Sequence, residues 1–374
     1  MALDTIELFC ETPPHFRYEL IPNSEQTCSR IEHFQILDLP FEITAEIFSH
    51  FLPQDPLRSL PGLQSPTLLC QVCRQWREIA ISAPWLWKSL QLDLVPEFLP
   101  QQLQVLRTWL KRSGSCPLSI GITYKAAEPG LTSPPVDNFI QELMLHSKRW
   151  QSMEMNLPFE VLHLIHGEMP QLLALTIGPN AVPEPPPQHP LRLFHSSPHL
   201  EHIVLSRFFQ PCAIQLCWEN CTNLEGLFLY VDECFVILTQ AINIVCFKAT
   251  IESGGDIVAP MPALVHLESL LLLPGETEPD DSQMRLLDAL KLPALRNLSV
   301  SELWFTPSPA ASINKLISRS GCHIRELCIT ESRYDGARWQ YYLNGSNLHH
   351  AESKGMGSIG QMEEVMLSMR GYRG

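Results

Sequence analysis

The sequence predicts an α/β protein in which a short helical region is followed by an array of short parallel strands and helices. Two observations support this prediction: two amphipathic helical patterns between Leu37 and Trp87, and a leucine pattern that recurs through most of the remaining chain. We expect four segments: a loosely ordered N-terminal arm at residues 1–35, the helical region at 36–88, the array at 89–347 and a flexible C-terminal tail at 348–374.

Prolines delimit the two helical patterns. The first follows Pro40, which suits a first helical position because the N–H that proline lacks has no partner there, and it ends before Pro53. The second is expected to run as one helix from Ser65 and Pro66 to Pro84. The apolar residues of the two patterns recur at helical spacing: at i, i+4, i+5, i+8 and i+9 in the first, Ile43, Ile47, Phe48, Phe51 and Leu52, and by threes and fours in the second, Leu69, Val72, Cys73, Trp76, Ile79 and Ala80. Two short helices cannot bury so many side chains between themselves, so we expect roughly ten large apolar side chains to need a partner surface.

Three motifs occur in this region in fixed order. They are LPFEI from Leu39, LCQVCRQWREIA from Leu69 and PWLW from Pro84. Together they resemble the F-box, and most closely the F-boxes of the expanded families of mushroom-forming (basidiomycete) fungi. The spacer from Gln54 to Ser65 is longer than in the commonest F-boxes, and the N-terminal arm lacks the coiled coil that often precedes the box in those families.

The resemblance implies a partner, the Skp adaptor, which links F-box proteins to a cullin and a RING subunit. The adaptor-binding residues that it implies are Leu39, Pro40, Ile43, Ile47, Phe48, Phe51, Leu52, Leu69, Val72, Cys73, Trp76 and Ile79. It also implies that Trp76 faces the adaptor and that Trp87 packs at the junction with the array.

Composition excludes several classes of function. The net charge of −14 and the pI of about 5.4 argue against nucleic-acid binding, which needs a concentrated basic face. The 12 cysteines form no even framework, and the sequence has neither a signal peptide pattern nor an apolar run of 18 residues. We therefore expect a reduced compartment, cytoplasmic and/or nuclear, and no membrane partner.

The array begins with a strand, a helix and a strand. Residues from Ser89 to Leu94 alternate polar and apolar, as in a half-buried strand. A helix follows from Leu99, with Lys111 and Arg112 in its last turn and Gly114 as its stop, and Pro117 begins the next strand.

The pattern LxxLxL then recurs six times. The copies are Leu172-Leu175-Ile177, Leu200-Ile203-Leu205, Leu224-Leu227-Leu229, Leu267-Leu270-Leu272, Leu295-Leu298-Val300 and Ile324-Leu327-Ile329, preceded by a degenerate copy, Trp150-Met153-Met155. Their starts are 22, 28, 24, 43, 28 and 29 residues apart, and Ile244-Phe247-Ala249 is the candidate for a missing copy in the longest gap. These periods predict an irregular leucine-rich-repeat-like solenoid of short parallel strands, with helices predicted at 138–145, 282–290 and 312–317 between them.

Two groups of residues offer metal or redox chemistry as an alternative. Cys70 and Cys73 form a CxxC, but no second pair lies at zinc-finger spacing, and we interpret both as core residues on the apolar face of a helix. The second group comprises His195, His199, His202, Cys212, Cys217 and Cys221. We interpret the histidines as variable exposed positions beside a repeat strand, so we expect no metal and no cofactor.

No catalytic residue is expected. The sequence has no GxSxG, phosphate-binding glycine loop or HExxH, and Asp280 and Asp281 are interpreted as a solvated turn in an acidic loop from Pro274 to Ser282. Two PxxP patterns between Pro183 and Pro190 could bind an aromatic groove, but a stiff loop is the simpler interpretation.

The resulting hypothesis is a non-catalytic substrate receptor of an SCF-type ubiquitin ligase, with the helical region on the adaptor and the solenoid on a target protein that the sequence does not identify. The alternative is a protein-interaction scaffold outside any ligase that uses the same surfaces. A metal- or redox-dependent enzyme is the third hypothesis, and it depends on the cysteine and histidine patterns alone.

Overall fold

The computed structural model describes residues 39–53, 64–125, 136–179, 187–207, 209–257, 260–305, 309–330, 338–344 and 347–350. The chain divides into two compact units, Met1–Pro40 and Phe41–Gly374, and of the first only Leu39 and Pro40 are described. The predicted arm at 1–35, most of the spacer at 54–63, the proline-rich residues 180–186 and the tail from 351 onward lie outside the described residues.

Three α-helices form the part of the helical region that the structure describes. They are α1 (Phe41–Phe51), α2 (Pro66–Val72) and α3 (Arg74–Ser82), followed by a 3₁₀ turn at Pro84–Trp87. The prediction of one helix between Ser65 and Pro84 is wrong, because Cys73 has an extended backbone (φ −156°, ψ 173°) that separates α2 from α3. The Cys73 Sγ accepts a hydrogen bond from the backbone N–H of Trp76 at 3.4 Å, so the cysteine begins the third helix as its cap.

A mostly parallel sheet follows, and we call residues 89–350 the sheet region. Its strands are β1 (Ser89–Leu94), β2 (Leu118–Tyr124), β3 (Trp150–Leu157), β4 (Ala174–Pro179), β5 (Leu191–Arg192), β6 (His202–Leu205), β7 (Ile214–Gln215), β8 (Asn223–Leu229), β9 (Cys246–Ile251), β10 (Ser269–Pro274), β11 (Asn297–Ser301), β12 (Glu326–Thr330), β13 (Arg338–Asn344) and β14 (Asn347–His350). Strand order in the 12-stranded sheet follows the sequence, while β5 and β7 pair separately. The last two strands pair antiparallel, and β14 crosses the predicted start of the tail at residue 348.

Among the described residues of the sheet region, five further α-helices connect the strands: α4 (Leu99–Arg112), α5 (Asp137–Met144), α6 (Val231–Gln240), α7 (Asp281–Ala289) and α8 (Pro309–Ser320). The prediction of α4 is confirmed, including Gly114 just past its end at a left-handed φ of +55°. The helical patterns predicted at 138–145, 282–290 and 312–317 correspond to α5, α7 and α8. Apolar residues of these helices join those of the strands in one continuous core.

The parallel register lines up one buried apolar residue from each strand. From β1 to β12 this row is Leu90, Ile120, Met153, Leu175, Ile203, Leu224, Phe247, Leu270, Leu298 and Leu327. All ten are buried. Each strand covers apolar side chains of its neighbours in this row. A single strand could not bury these side chains alone.

One copy of the leucine pattern has a different register from the predicted one. The pattern places Leu227 in the buried row, but Leu224 occupies that position, and the copy begins at the buried Cys221. The strand bulges after Gly226, where the Leu229 side chain fills the space that a Cβ would need. In the corrected register the copies start at residues 150, 172, 200, 221, 244, 267, 295 and 324, and the apparent 43-residue gap disappears.

Candidate protein-docking surface

Helix α1 carries an exposed apolar stripe. Ile43, Ile47 and Phe51 lie four residues apart and are 51%, 42% and 37% exposed. The adjacent side of the helix contributes Ala45 and Phe48 to the core, at 0% and 1% exposure. The helix is therefore apolar on two sides, and only one of them is covered within the described part of the chain.

Val72 is a further exposed apolar residue. It ends α2 with 59% of its surface exposed. Glu42, Glu46 and His50 lie on the exposed side of α1 between the apolar positions. We group these four exposed apolar residues, Ile43, Ile47, Phe51 and Val72, under the name α1 stripe; its three members on α1 have the acidic neighbours Glu42 and Glu46.

The predicted adaptor-binding residues fall into three groups. Pro40, Ile43, Ile47, Phe51 and Val72 are exposed; Leu39, Leu52, Cys73 and Trp76 are half-buried; and Phe48, Leu69 and Ile79 are buried. The sequence predicts a single apolar face on α1, but the structure has two, because Phe48 faces the core and Ile47 faces outward.

Trp76 of α3 packs against α1. Its ring centroid lies 4.8 Å from that of Phe48, at an interplanar angle of 54°. Such an aromatic pair stabilises the packing of α1 against α3 beyond its buried area. Trp76 is half-buried, so part of its side chain remains accessible to a partner.

The CxxC does not lie on a helix face as expected, since Cys70 is in α2 and Cys73 is between the helices. Burial raises the pKa of the Cys70 thiol, although the charges of Arg112 and Arg77 oppose the rise. The Arg77 Nε also donates a hydrogen bond to the Cys70 carbonyl oxygen at 2.8 Å, which fastens α3 to α2. Cys70 packs against the core, and Cys73 caps α3.

Trp87 joins the helical region to α4. Its indole N–H donates to the Ala80 carbonyl oxygen at 2.7 Å, its ring meets that of Trp109 edge-on at 4.8 Å, and the Arg112 guanidinium lies 4.3 Å above it. Trp87 is fully buried. Trp87 thus packs at the junction between the helical region and α4.

Two further apolar side chains of the helical region are exposed. Ile81 on α3 and Trp85 in the following turn are 40% and 38% exposed. Ile81 was not among the predicted contact residues, because it lies outside the apolar spacing that predicts the buried face of the second helix.

No metal-binding geometry is present among the residues that the structure describes, where no three histidine, cysteine or acidic side chains converge. Asp280 is the N-cap of α7 and accepts a hydrogen bond from the Ser282 N–H at 2.8 Å, while Gln283 bonds back to the Asp280 N–H at 3.1 Å. This capping box differs from the solvated turn predicted for Asp280 and Asp281.

Comparison with known proteins identifies the helical region. A family model described as F-box-like matches residues 36–93, which include the α1 stripe, the Trp87 junction and most of β1. The chain therefore carries an F-box-like domain, and F-box domains typically bind Skp-type adaptors. No curated protein and no solved structure matches the chain. Among the described residues, no helix has both the length and the apolar character needed to cross a bilayer.

Proposed function

We propose that this chain is the substrate-recognition subunit of an SCF-type ubiquitin ligase. The observation that carries the proposal is the α1 stripe, an uncovered apolar surface inside the segment that matches the F-box-like model. In this proposal Ile43, Ile47, Phe51 and Val72 contact the Skp adaptor directly. Phe48, Leu69 and Ile79 support that surface from below, since they are buried in the chain itself.

The exposed areas limit what the stripe contributes to binding. Full burial of a large apolar side chain gains about 1.5–3 kcal/mol, and the four residues are roughly half exposed, so their burial gains about 4 kcal/mol in total. Association itself costs about 4–15 kcal/mol. The four residues are fewer than the ten large apolar side chains that the sequence predicts, so contacts around the stripe are needed for the remaining affinity.

We infer that the sheet region is an irregular leucine-rich-repeat-like solenoid that binds a target protein. The corrected spacing of 21 to 29 residues and the strand order support this inference. Buried and half-buried residues alternate along β9 and β10, so one face of the sheet packs on the core and the other presents variable side chains.

In this mechanism the chain performs no chemistry. The F-box-like domain holds the chain on the adaptor, the sheet region holds the target, and the resulting effective concentration of target lysines near the ubiquitin-charged enzyme drives transfer. The proposed location is cytoplasmic and/or nuclear, where reduced cysteines and cullin–RING partners are found together.

Co-purification with a Skp adaptor tests the proposal. Wild type is compared with Ile43→Asp and with a matched control, Ile242→Asp, because these two isoleucines are 51% and 50% exposed and lie in different parts of the molecule. We expect Ile43→Asp to lose the adaptor, since a charge enters the proposed contact, and Ile242→Asp to retain it. Equal retention by all three proteins would refute the docking surface.

Ligase function requires a further assay. The adaptor complex that co-purifies is mixed with a cullin–RING subunit, and cullin capture is measured. Binding of the adaptor without capture of the cullin would favour the scaffold alternative.

A further inference from the structure

The open face of β8 to β11 has a composition of its own. The aligned positions on this face are Glu225, Lys248, Leu271 and Ser299, and each is half-buried. The Lys248 Nζ lies 2.7 Å from the Glu225 Oε1, so this ion pair is internally satisfied. Leu271 and Leu273, both on β10, add an apolar strip beside it.

The two ends of these four strands differ in charge. At the carboxyl ends the exposed acidic residues are Asp232, Asp256, Glu276, Glu278, Asp280 and Asp281, and the exposed basic residues beside them are Arg207 and Arg285. At the amino ends, two acidic residues (Glu219 and Glu268) face two basic ones (Lys291 and Arg296). The negative potential is therefore concentrated at one end of the open face.

The acidic end is an ordered structure. The buried Glu252 carboxylate accepts hydrogen bonds from the N–H groups of Glu276 and Thr277 at 3.0 and 2.9 Å, and from the Thr277 hydroxyl at 2.6 Å. These bonds fix the loop after β10 against the end of β9. The acidic side chains of this loop are consequently held at the rim of the sheet.

The same rim already binds one guanidinium of the chain. Arg207 forms an ion pair with Glu276, and its Cζ lies 4.4 Å from the centre of the Phe228 ring. An acidic group and an aromatic face around an arginine are the groups by which proteins bind basic side chains. Tyr230 lies between Phe228 and Asp232 in the sequence and is 47% exposed.

We propose that the open face of β8 to β11, with its carboxyl-end rim, binds a basic segment of the target protein in which lysine or arginine is interspersed with apolar residues. The apolar residues would lie on Leu271 and Leu273, and the cationic ones at the rim. This inference rests on the proposed function and assigns to it a binding face and a class of target.

A peptide-binding assay on the full chain in complex with the adaptor tests the inference. The probe is a fluorescein-labelled peptide of repeated Lys-Ser-Leu, and its counterpart has glutamate in place of lysine. The rim variant combines Asp232→Asn, Glu278→Gln and Asp281→Asn. The matched control combines Glu168→Gln, Glu201→Gln and Glu219→Gln, which removes the same net charge from the opposite end of the sheet.

We expect the rim variant to bind the lysine peptide about tenfold more weakly at about 0.1 M salt and the control to bind it as wild type does, because charges then act mainly within a Debye length of about 10 Å. Leu271→Ser should weaken binding at every salt concentration. Equal weakening by rim and control variants, or equal binding of the glutamate peptide by wild type, would overturn the inference. Adaptor co-purification and peptide binding of the wild-type chain, measured also without the adaptor, separate the two proposals: a wild-type chain that does not bind the adaptor but binds the lysine peptide through the rim contradicts the proposed function alone.

Discussion

Replacing Trp87 by phenylalanine should weaken the junction between the F-box-like domain and the sheet region. The change removes the indole N–H that bonds to the Ala80 carbonyl oxygen at 2.7 Å and leaves a smaller ring beside Trp109 and Arg112. A lost buried hydrogen bond costs about 1–3 kcal/mol, and the incompletely filled space and the weaker cation–π contact add about 1 kcal/mol. We expect a total loss near 3 kcal/mol.

The assay is thermal unfolding followed by circular dichroism. For a chain of 374 residues the unfolding entropy makes 3 kcal/mol equivalent to a Tm decrease of about 4 °C. The control is Trp85→Phe, because Trp85 is 38% exposed, and its Tm should change by less than about 1 °C. A decrease below about 1 °C for Trp87→Phe would refute the argument that this indole holds the junction together.

Three further predictions concern the sheet region. Burial alone would raise the pKa of the Glu252 carboxyl, but hydrogen bonds from Thr277 and Glu276 and the charge of Arg207 hold that pKa below its ordinary value. The ionised Glu252 therefore stabilises the fold at pH values above its pKa in the unfolded chain, and this stabilisation is lost as pH falls through its pKa in the folded chain. Glu252→Gln should therefore cost about 1–3 kcal/mol at pH 7 and less in acid, as urea denaturation at both pH values would show. Burial raises the pKa of Glu233 to about 7, so the folded state binds the extra proton and stability declines as pH rises from about 4.5 to 7. Glu233→Gln, which keeps an acceptor for the Tyr230 N–H, should raise the Tm at pH 8 and leave it unchanged at pH 4; a decrease at pH 8 would contradict this. Arg319 donates to the carbonyl oxygens of Leu287 and Leu290 at the end of α7, so Arg319→Ala should cost about 1–3 kcal/mol in urea denaturation, whereas Arg285→Ala, an exposed ion-pair partner, should cost less than about 1 kcal/mol.

The repeated strands from β3 to β12 that carry the LxxLxL pattern were predictable from the sequence. The last two apolar positions of the pattern are two residues apart, which is also the period at which side chains of a strand point to the same face. The error at β8 had a specific cause: Leu224, Leu227 and Leu229 satisfy the pattern by themselves. The true copy uses Cys221 and Gly226 at positions where leucine is expected. The bulge after Gly226 places Leu224, and not Leu227, in the buried row. This bulge depends on the packing of Leu229 over Gly226, which cannot be read from the spacing of leucines in the sequence.

The break at Cys73 was unpredictable for a related reason. Neither glycine nor proline marks it, and the apolar periodicity continues across it without interruption. The cysteine supplies its sulfur as a cap for the Trp76 N–H, a role usually taken by serine, threonine or aspartate. A weak acceptor is tolerated at this position because Arg77 ties α3 to α2 through the Cys70 carbonyl.

Helix α1 shows why an amphipathic pattern alone does not identify a binding face. Ile43, Ile47 and Phe51 form one line of apolar residues, and Ala45 and Phe48 belong to a neighbouring one, so periodicity permits either side to face the core. The structure buries the side that holds the Phe48–Trp76 pair. Leaving three large apolar residues at least 37% exposed on a single helix has no benefit for the isolated chain, because it exposes apolar surface to water and to aggregation. Such a stripe is explained by a partner that covers it, and its position inside the F-box-like match identifies the adaptor as the first partner to test.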